Sequence, residues 1–193
     1  IALNRNFEEM EMDRDLLSVM RKRTSTRVFA KEAMTIDQLS FLLWSSQGIE
    51  AIRGNYYGTL RTVPSGGSRH GFETYVLVQN VEGLQPGYYH YLAQYHGLEC
   101  IKECVTPEEV LCKSVVGQDW VKHAQVIFFW SFIPYRCEWR YGIYAHRPAL
   151  MDAGHVGQNH YLGCAALGLG TCYLAAYDQK TCNEMLELHG EDE

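Results

Sequence analysis

The pattern of apolar and polar positions predicts helices towards both ends of the chain and strands between them. Over 13–22, Leu16, Leu17, Val19 and Met20 recur at roughly helical spacing and run into the polar cluster Arg21-Lys22-Arg23-Thr24-Ser25-Thr26-Arg27, which reads as a helix entering a basic turn. Thr35 and Gln38 form a capping-box pattern, Leu39, Leu42 and Leu43 supply an apolar face, and Gly48 is a stop signal, so a second helix is expected over 35–47. Residues 49–71 are rich in glycine and poor in aliphatics and read as a long loop, a feature that in compact domains usually serves function. Strand-like runs separated by turn signals then predict antiparallel strands at 74–78, 88–91 and 97–101. A short helix is expected from 107 to about 115, with Glu108 and Glu109 favouring its dipole. The β-branched and aromatic run 126–133, closed by Pro134, suits a central strand buried on both faces. Residues 148–167 form the longest predicted helix. Its Gly154, Gly157 and Gly163 each cost roughly 1 kcal/mol relative to alanine, and together with Ala153, Ala165 and Ala166 they imply close packing, within the chain or across a dimer. A strand at 171–176 and a helix at 178–188 complete an α+β order rather than a regular βαβ alternation.

Composition narrows the function. With 193 residues, 47% of them hydrophobic, the chain can bury its own core as one domain spanning 1–193. Seventeen Lys and Arg against 23 Asp and Glu give a net charge of −6 without a basic block, which argues against nucleic acid as a partner. No apolar run approaches the ~20 residues of a bilayer-spanning helix, and the first residues lack the basic and apolar regions of an export signal. The seven cysteines are odd in number and form no C-x-x-C pair, which fits a reduced, cytoplasmic compartment. No metal site is expected: His155 and His160 are five apart, about 140° around a helix axis, and Cys100, Cys104 and His96 lack a second matching pair.

Three segments carry candidate chemistry. Arg23-Thr24-Ser25-Thr26-Arg27 offers two guanidinium forks and three hydroxyls, a set that suits a phosphate dianion and equally a solvated helix end. In Pro64-Ser65-Gly66-Gly67 the paired glycines let backbone N–H groups approach a flat ligand, although the same residues make ordinary surface turns. Gly168-Leu169-Gly170-Thr171-Cys172, continuing to Ala175-Ala176-Tyr177-Asp178, reads as a helix-to-strand joint.

In this order and spacing the three segments resemble the nitroreductase-like FMN flavoprotein superfamily, whose members carry R-x-S-x-R-x-F, P-S-G/S and a late A-A-x-x-L-G-L-G. Here these stand as Arg23 to Phe29, Val63 to Gly67 and, shortened, Ala165 to Gly170. Leu42 to Ile49, Ser65 to His70, Gly87 to Tyr91 and Asp152 to Asn159 are similar to the SagB-type dehydrogenase branch, which includes azoline oxidases. The resemblance implies an α+β fold, with a mixed, mainly antiparallel sheet flanked by helices, in an intertwined homodimer. FMN is the implied cofactor. Arg23, Thr24, Ser25 and Arg27 would hold its phosphate and ribityl chain. Pro64, Ser65, Gly66 and Gly67 would lie against the isoalloxazine from the other subunit, and Leu174, Ala175 and Ala176 beside its N5 edge. The implied reaction passes a hydride through N5 between a small-molecule electron donor and an acceptor. It is either NAD(P)H-linked reduction of nitro or quinone compounds or a SagB-type dehydrogenation. Where azoline oxidases carry a Lys-Tyr pair this chain has Arg140-Tyr141; arginine stays protonated, which leaves Tyr141 as the candidate proton donor or relay. The chain is also expected to lack the final Lys- or Arg-bearing strand of such proteins, and the alternative reading is a non-catalytic flavin- or partner-binding member.

Overall fold

The computed structural model describes residues 1–55, 58–190 and 192–193. Asp15 caps α1 (Leu16–Lys22) by accepting from Ser18 N at 2.7 Å. The predicted capping box opens α2 (Ile36–Gln47): Thr35 Oγ1 accepts from Gln38 N, and Gln38 Oε1 accepts from Thr35 N. Two hairpin strands follow, β1 (Ile49–Arg53) and β2 (Gly58–Arg61). The expected long loop over 49–71 is thereby corrected. Backbone pairing organises its first half although it buries little, and its Tyr56 and Tyr57 lie outside the described residues.

The main sheet contains β3 (Phe72–Val78), β4 (Gly87–Leu92), β5 (Gly97–Glu103) and β6 (Val126–Phe132), all antiparallel, in the order β5-β4-β3-β6. The mixed α+β, mainly antiparallel architecture is as the sequence predicted, with one correction. β6 is an edge strand, half-buried throughout, and β3 takes the central position. An apolar run reads the same in either place, because only pairing partners distinguish edge from centre.

Strand alternation gives the sheet two cores. Val76, Val78, Tyr89 and Tyr91 pack with Leu39 and Leu43 of α2 on one face. Tyr75, Leu77 and Tyr88 pack on the other with Leu111 of α3 (Glu108–Ser114) and Met185 and Leu186 of α6 (Gln179–Leu186). Between β6 and the last helices run α4 (Tyr135–Tyr141) and the 21-residue α5 (His146–Ala166). Two of the three glycines of α5 mark close packing within the chain: a methyl group on Gly163 would stand 3.0 Å from Ser45 Oγ and 3.1 Å from Leu42 Cδ2, and one on Gly157 3.0 Å from the Tyr173 ring, whereas one on Gly154 would meet no atom of the described residues within 4 Å, which corrects the expectation there. The expected strand at 171–176 is reduced to a single parallel bridge between Ser25 and Thr171, because the segment pairs at one residue only and then runs along α5.

His160 of α5 is buried with its ring against Phe128 and Trp130, and its Nδ1 has no hydrogen-bond partner among the described residues. Burial pulls its pKa from 6.5 down to about 4, so the folded protein holds this ring neutral while the unfolded chain protonates it. Its contribution to stability is complete above pH 6.5 and is lost as pH falls towards 4. His160→Leu is expected to flatten the decline of unfolding free energy across that window by on the order of 1.4 kcal/mol per pH unit, measured by urea denaturation at pH 7, 6 and 5.

Candidate functional site

Helix α5 carries the site on two opposed faces. On the first, the buried Asp152 holds the glycine-rich segment: Ser65 Oγ donates to its Oδ2 at 2.6 Å, and Gly66 N–H donates to its Oδ1 at 3.1 Å. Ser65 Oγ in turn accepts from His70 N at 2.9 Å, so one hydroxyl closes the turn and anchors it to the helix. Asn159, two turns along the same face, donates to Ser45 O and Thr62 O and fixes the approach to this turn. Both glycines are required. A Cβ at Gly66 would stand 2.7 Å from Pro148 Cβ, and Gly67 has a φ of 59° with the Tyr141 hydroxyl 2.5 Å from where its Cβ would lie. The structure therefore brings Pro64, Ser65, Gly66 and Gly67 together with Arg140 and Tyr141, which are separated from them by some 70 residues of sequence.

On the second face Tyr161 organises the basic segment. Its hydroxyl shares a 2.8 Å hydrogen bond with Ser25 Oγ and accepts from Tyr173 N at 2.9 Å, while the Arg23 guanidinium lies 5.4 Å from the centre of its ring. Thr26 N donates to Thr171 O at 2.8 Å, and Gly170 is packed so closely that a Cβ there would meet Thr26 Cγ2 at 2.8 Å. The first and third sequence segments are thus one structural unit, with Arg23, Thr24, Ser25 and Arg27 beside the start of the chain that leads to Leu174, Ala175 and Ala176. Thr24, Ser25, Arg27, Ala175 and Ala176 are exposed. Among the described residues no carboxylate lies within 4.0 Å of Arg23 or Arg27.

Asp152 and Tyr161 are nine residues apart, which on an α-helix is half a turn out of phase and about 13 Å along the axis. A single copy of the chain therefore mounts the Ser65 to Gly67 turn and the Arg23 to Arg27 turn on opposite sides of α5. Sequence reasoning did not assign either anchor a role: inside a long helix, an aspartate or a tyrosine gives no signal that separates it from ordinary polar or core positions. Among the described residues there is no cluster of three metal-ligating side chains, and no helix is long and apolar enough to cross a membrane.

A cofactor of the FMN type fits these residues. Two cations without carboxylate partners among the described residues flank a hydroxyl in the first unit, and in the second the Arg140 and Tyr141 side chains lie against the glycine turn. Removing the Asp152 carboxylate would strand the Ser65 hydroxyl and Gly66 N–H. Asp152→Ala is expected to lower the unfolding free energy by about 2–3 kcal/mol, seen as a shifted denaturant midpoint, with Asp152→Asn losing less.

Comparisons with known proteins identify the family and the fold. The nitroreductase family profile matches residues 20–193. Over 183 residues, 95% of this chain and 87% of the other, the sequence is 30% identical to MJ1384 of Methanocaldococcus jannaschii, which carries a provisional nitroreductase name. It is 31% identical over 118 residues to the trifolitoxin-processing protein TfxB of Rhizobium leguminosarum bv. trifolii, covering 56% of this chain and 30% of TfxB. The fold superposes on a crystal structure of a provisionally named nitroreductase from Ralstonia eutropha JMP134 with a TM-score of 0.79 and 26% identity, over 100% of this chain and 83% of that one. It also shares the fold of the Escherichia coli microcin synthetase McbBCD complex, at a TM-score of 0.68 and 24% identity, over 95% of this chain and 74% of that one. The chain belongs to the nitroreductase family.

Proposed function

We propose that this protein is an FMN-dependent oxidoreductase that works as a homodimer, with each cofactor site completed by two copies of the chain. The observation that carries this reading is the placement of the two half-sites on opposite faces of α5. Each is built as if for one end of a flavin nucleotide, and a second copy is what brings complementary halves together. Exposed apolar side chains at Leu16, Leu17 and Met20 of α1 and at Leu150 and Met151 of α5 supply surface for such an association.

In this reading Arg23 and Arg27 bind the phosphate with charge-assisted hydrogen bonds, and Ser25, held by Tyr161, orients it. Ser65 to Gly67 present a backbone edge to the ring system, kept in shape by Asp152, and Leu174 to Ala176 border it through backbone groups. When bound, FMN supplies two-electron chemistry at its isoalloxazine ring. Tyr141, with its hydroxyl beside Gly67, is the chain's candidate for holding or passing a proton, and Arg140 next to it contributes positive charge. Nitro or quinone acceptors with NADH or NADPH, and a SagB-type dehydrogenation, are the substrate classes for this machinery. The SagB branch is supported by the segments Ser65 to His70 and Asp152 to Asn159.

Purified protein is expected to carry or take up FMN and to show flavin absorbance. Arg23→Ala/Arg27→Ala should abolish uptake, and Tyr141→Phe should keep the flavin but lower turnover by roughly 10²-fold or more. Colourless protein that binds no added FMN overturns the proposal. Bound FMN without turnover across these donors and acceptors leaves a flavin-binding member in place of an enzyme.

A further inference from the structure

A separate cleft of about 360 Å³ opens between β2, the segment from Ser68 to Glu73 and α4, and it does not include Arg23 or Arg27. Its walls carry Arg61, Arg69 and Arg136 against one carboxylate, Glu73. That carboxylate is already engaged, by Arg136 Nη2 at 2.5 Å and by His90 Nε2 at 3.0 Å. Arg61 is half-buried, donates to Gln47 Oε1 at 2.9 Å, and among the described residues has no carboxylate within 4.0 Å. Among the described residues Arg69 spends only its Nε on a hydrogen bond, at 2.8 Å to Gly67 O, and its guanidinium lies 4.9 Å from the centre of the Trp139 ring. Trp139 and Tyr135 line the same cleft and are exposed, so its mouth is aromatic while its wall is cationic.

We propose that this cleft is a binding site for a small organic oxyanion, a phosphate monoester or carboxylate joined to a single aromatic ring, which Arg61 and Arg69 grip while Trp139 and Tyr135 cover its flat part. The three guanidinium groups exceed the carboxylate by two charges, so a dianion leaves the cleft neutral. His70, on the same wall, does not alter that count near neutral pH: burial and the neighbouring Arg61 bring its pKa down to about 4. The bond from Arg69 to Gly67 ties the cleft to the glycine turn, which puts the oxyanion next to the half-site that the proposed function assigns to the flavin ring. The cleft itself stands on its own residues and needs no flavin.

Isothermal titration of the full-length chain, with and without added FMN, and of its Arg23→Ala/Arg27→Ala variant tests this with phenyl phosphate, inorganic phosphate, benzoate and benzylamine. Phenyl phosphate should bind all three preparations, about tenfold more tightly than inorganic phosphate because of the aromatic mouth, and benzoate more weakly than phenyl phosphate. Benzylamine should give no heat. Arg69→Gln should weaken phenyl phosphate by about tenfold or more. Trp139→Leu, which alters only an exposed side chain, should erase the preference for phenyl over inorganic phosphate. If benzoate outbinds phenyl phosphate, the carboxylate is the preferred form of the same oxyanion site. The proposal is overturned if phenyl phosphate gives no heat, if benzylamine binds equally well, or if binding survives Arg69→Gln and disappears in the Arg23→Ala/Arg27→Ala variant. Protein that takes up no FMN yet binds phenyl phosphate keeps the cleft and loses the flavin reading, so the two fail separately.

Discussion

The structure depends on α5 being buried from two sides at once. Its Asp152, Asn159 and Gly163 face α2 and the turn before β3, while Gly157 and Tyr161 face the segment that follows the helix. Small residues let both neighbours come close, and the polar groups between them turn proximity into fixed geometry. The helix costs propensity at each glycine and recovers it at Gly157 and Gly163 in packing, and nearby in hydrogen bonds that would otherwise be unmade. A carboxylate buried among two N–H and O–H donors is stable only while those donors stay in place, so the Ser65 turn and the helix hold each other.

The same principle explains the cationic surfaces. Arg23 keeps its charge available because the protein offers it a ring face rather than a carboxylate, and Arg69 is treated in the same way by Trp139. Glu73, by contrast, is surrounded. Its burial raises its pKa, but the hydrogen bonds and charges of His90 and Arg136 outweigh that and hold it below the usual carboxylate range. Arg136 is thus paired with a carboxylate, whereas Arg23, Arg27, Arg61 and Arg69 have none within 4.0 Å among the described residues.

Much of this was legible in the sequence where local physics decides. The capping box at Thr35 and Gln38, the strands β3 and β4, and the length of α5 follow from composition, period and end signals, and the structure has all three. The three motif segments were legible as candidates because arginine, serine and glycine cluster in them. The pairing of residues 49–53 with 58–61 was not, because it forms without a buried stripe, nor was the edge position of β6. α4 passed unnoticed, since Tyr135 to Tyr141 exposes most of its side chains and shows little apolar period. Asp152, Tyr161 and Arg61 act over separations of 86, 136 and 14 residues, and no pattern in a single sequence records such partners.

The two margins of the main sheet differ. Beside β5, Leu98 N donates to Ile1 O and Ala2 bridges Gly97, which blunts that margin. Along β6, no strand pairs on the outer side among the described residues. Stray edge-to-edge adhesion would therefore start at Val126 to Phe132 more readily than at the start of β5, where the first residues of the chain already take the pairing positions.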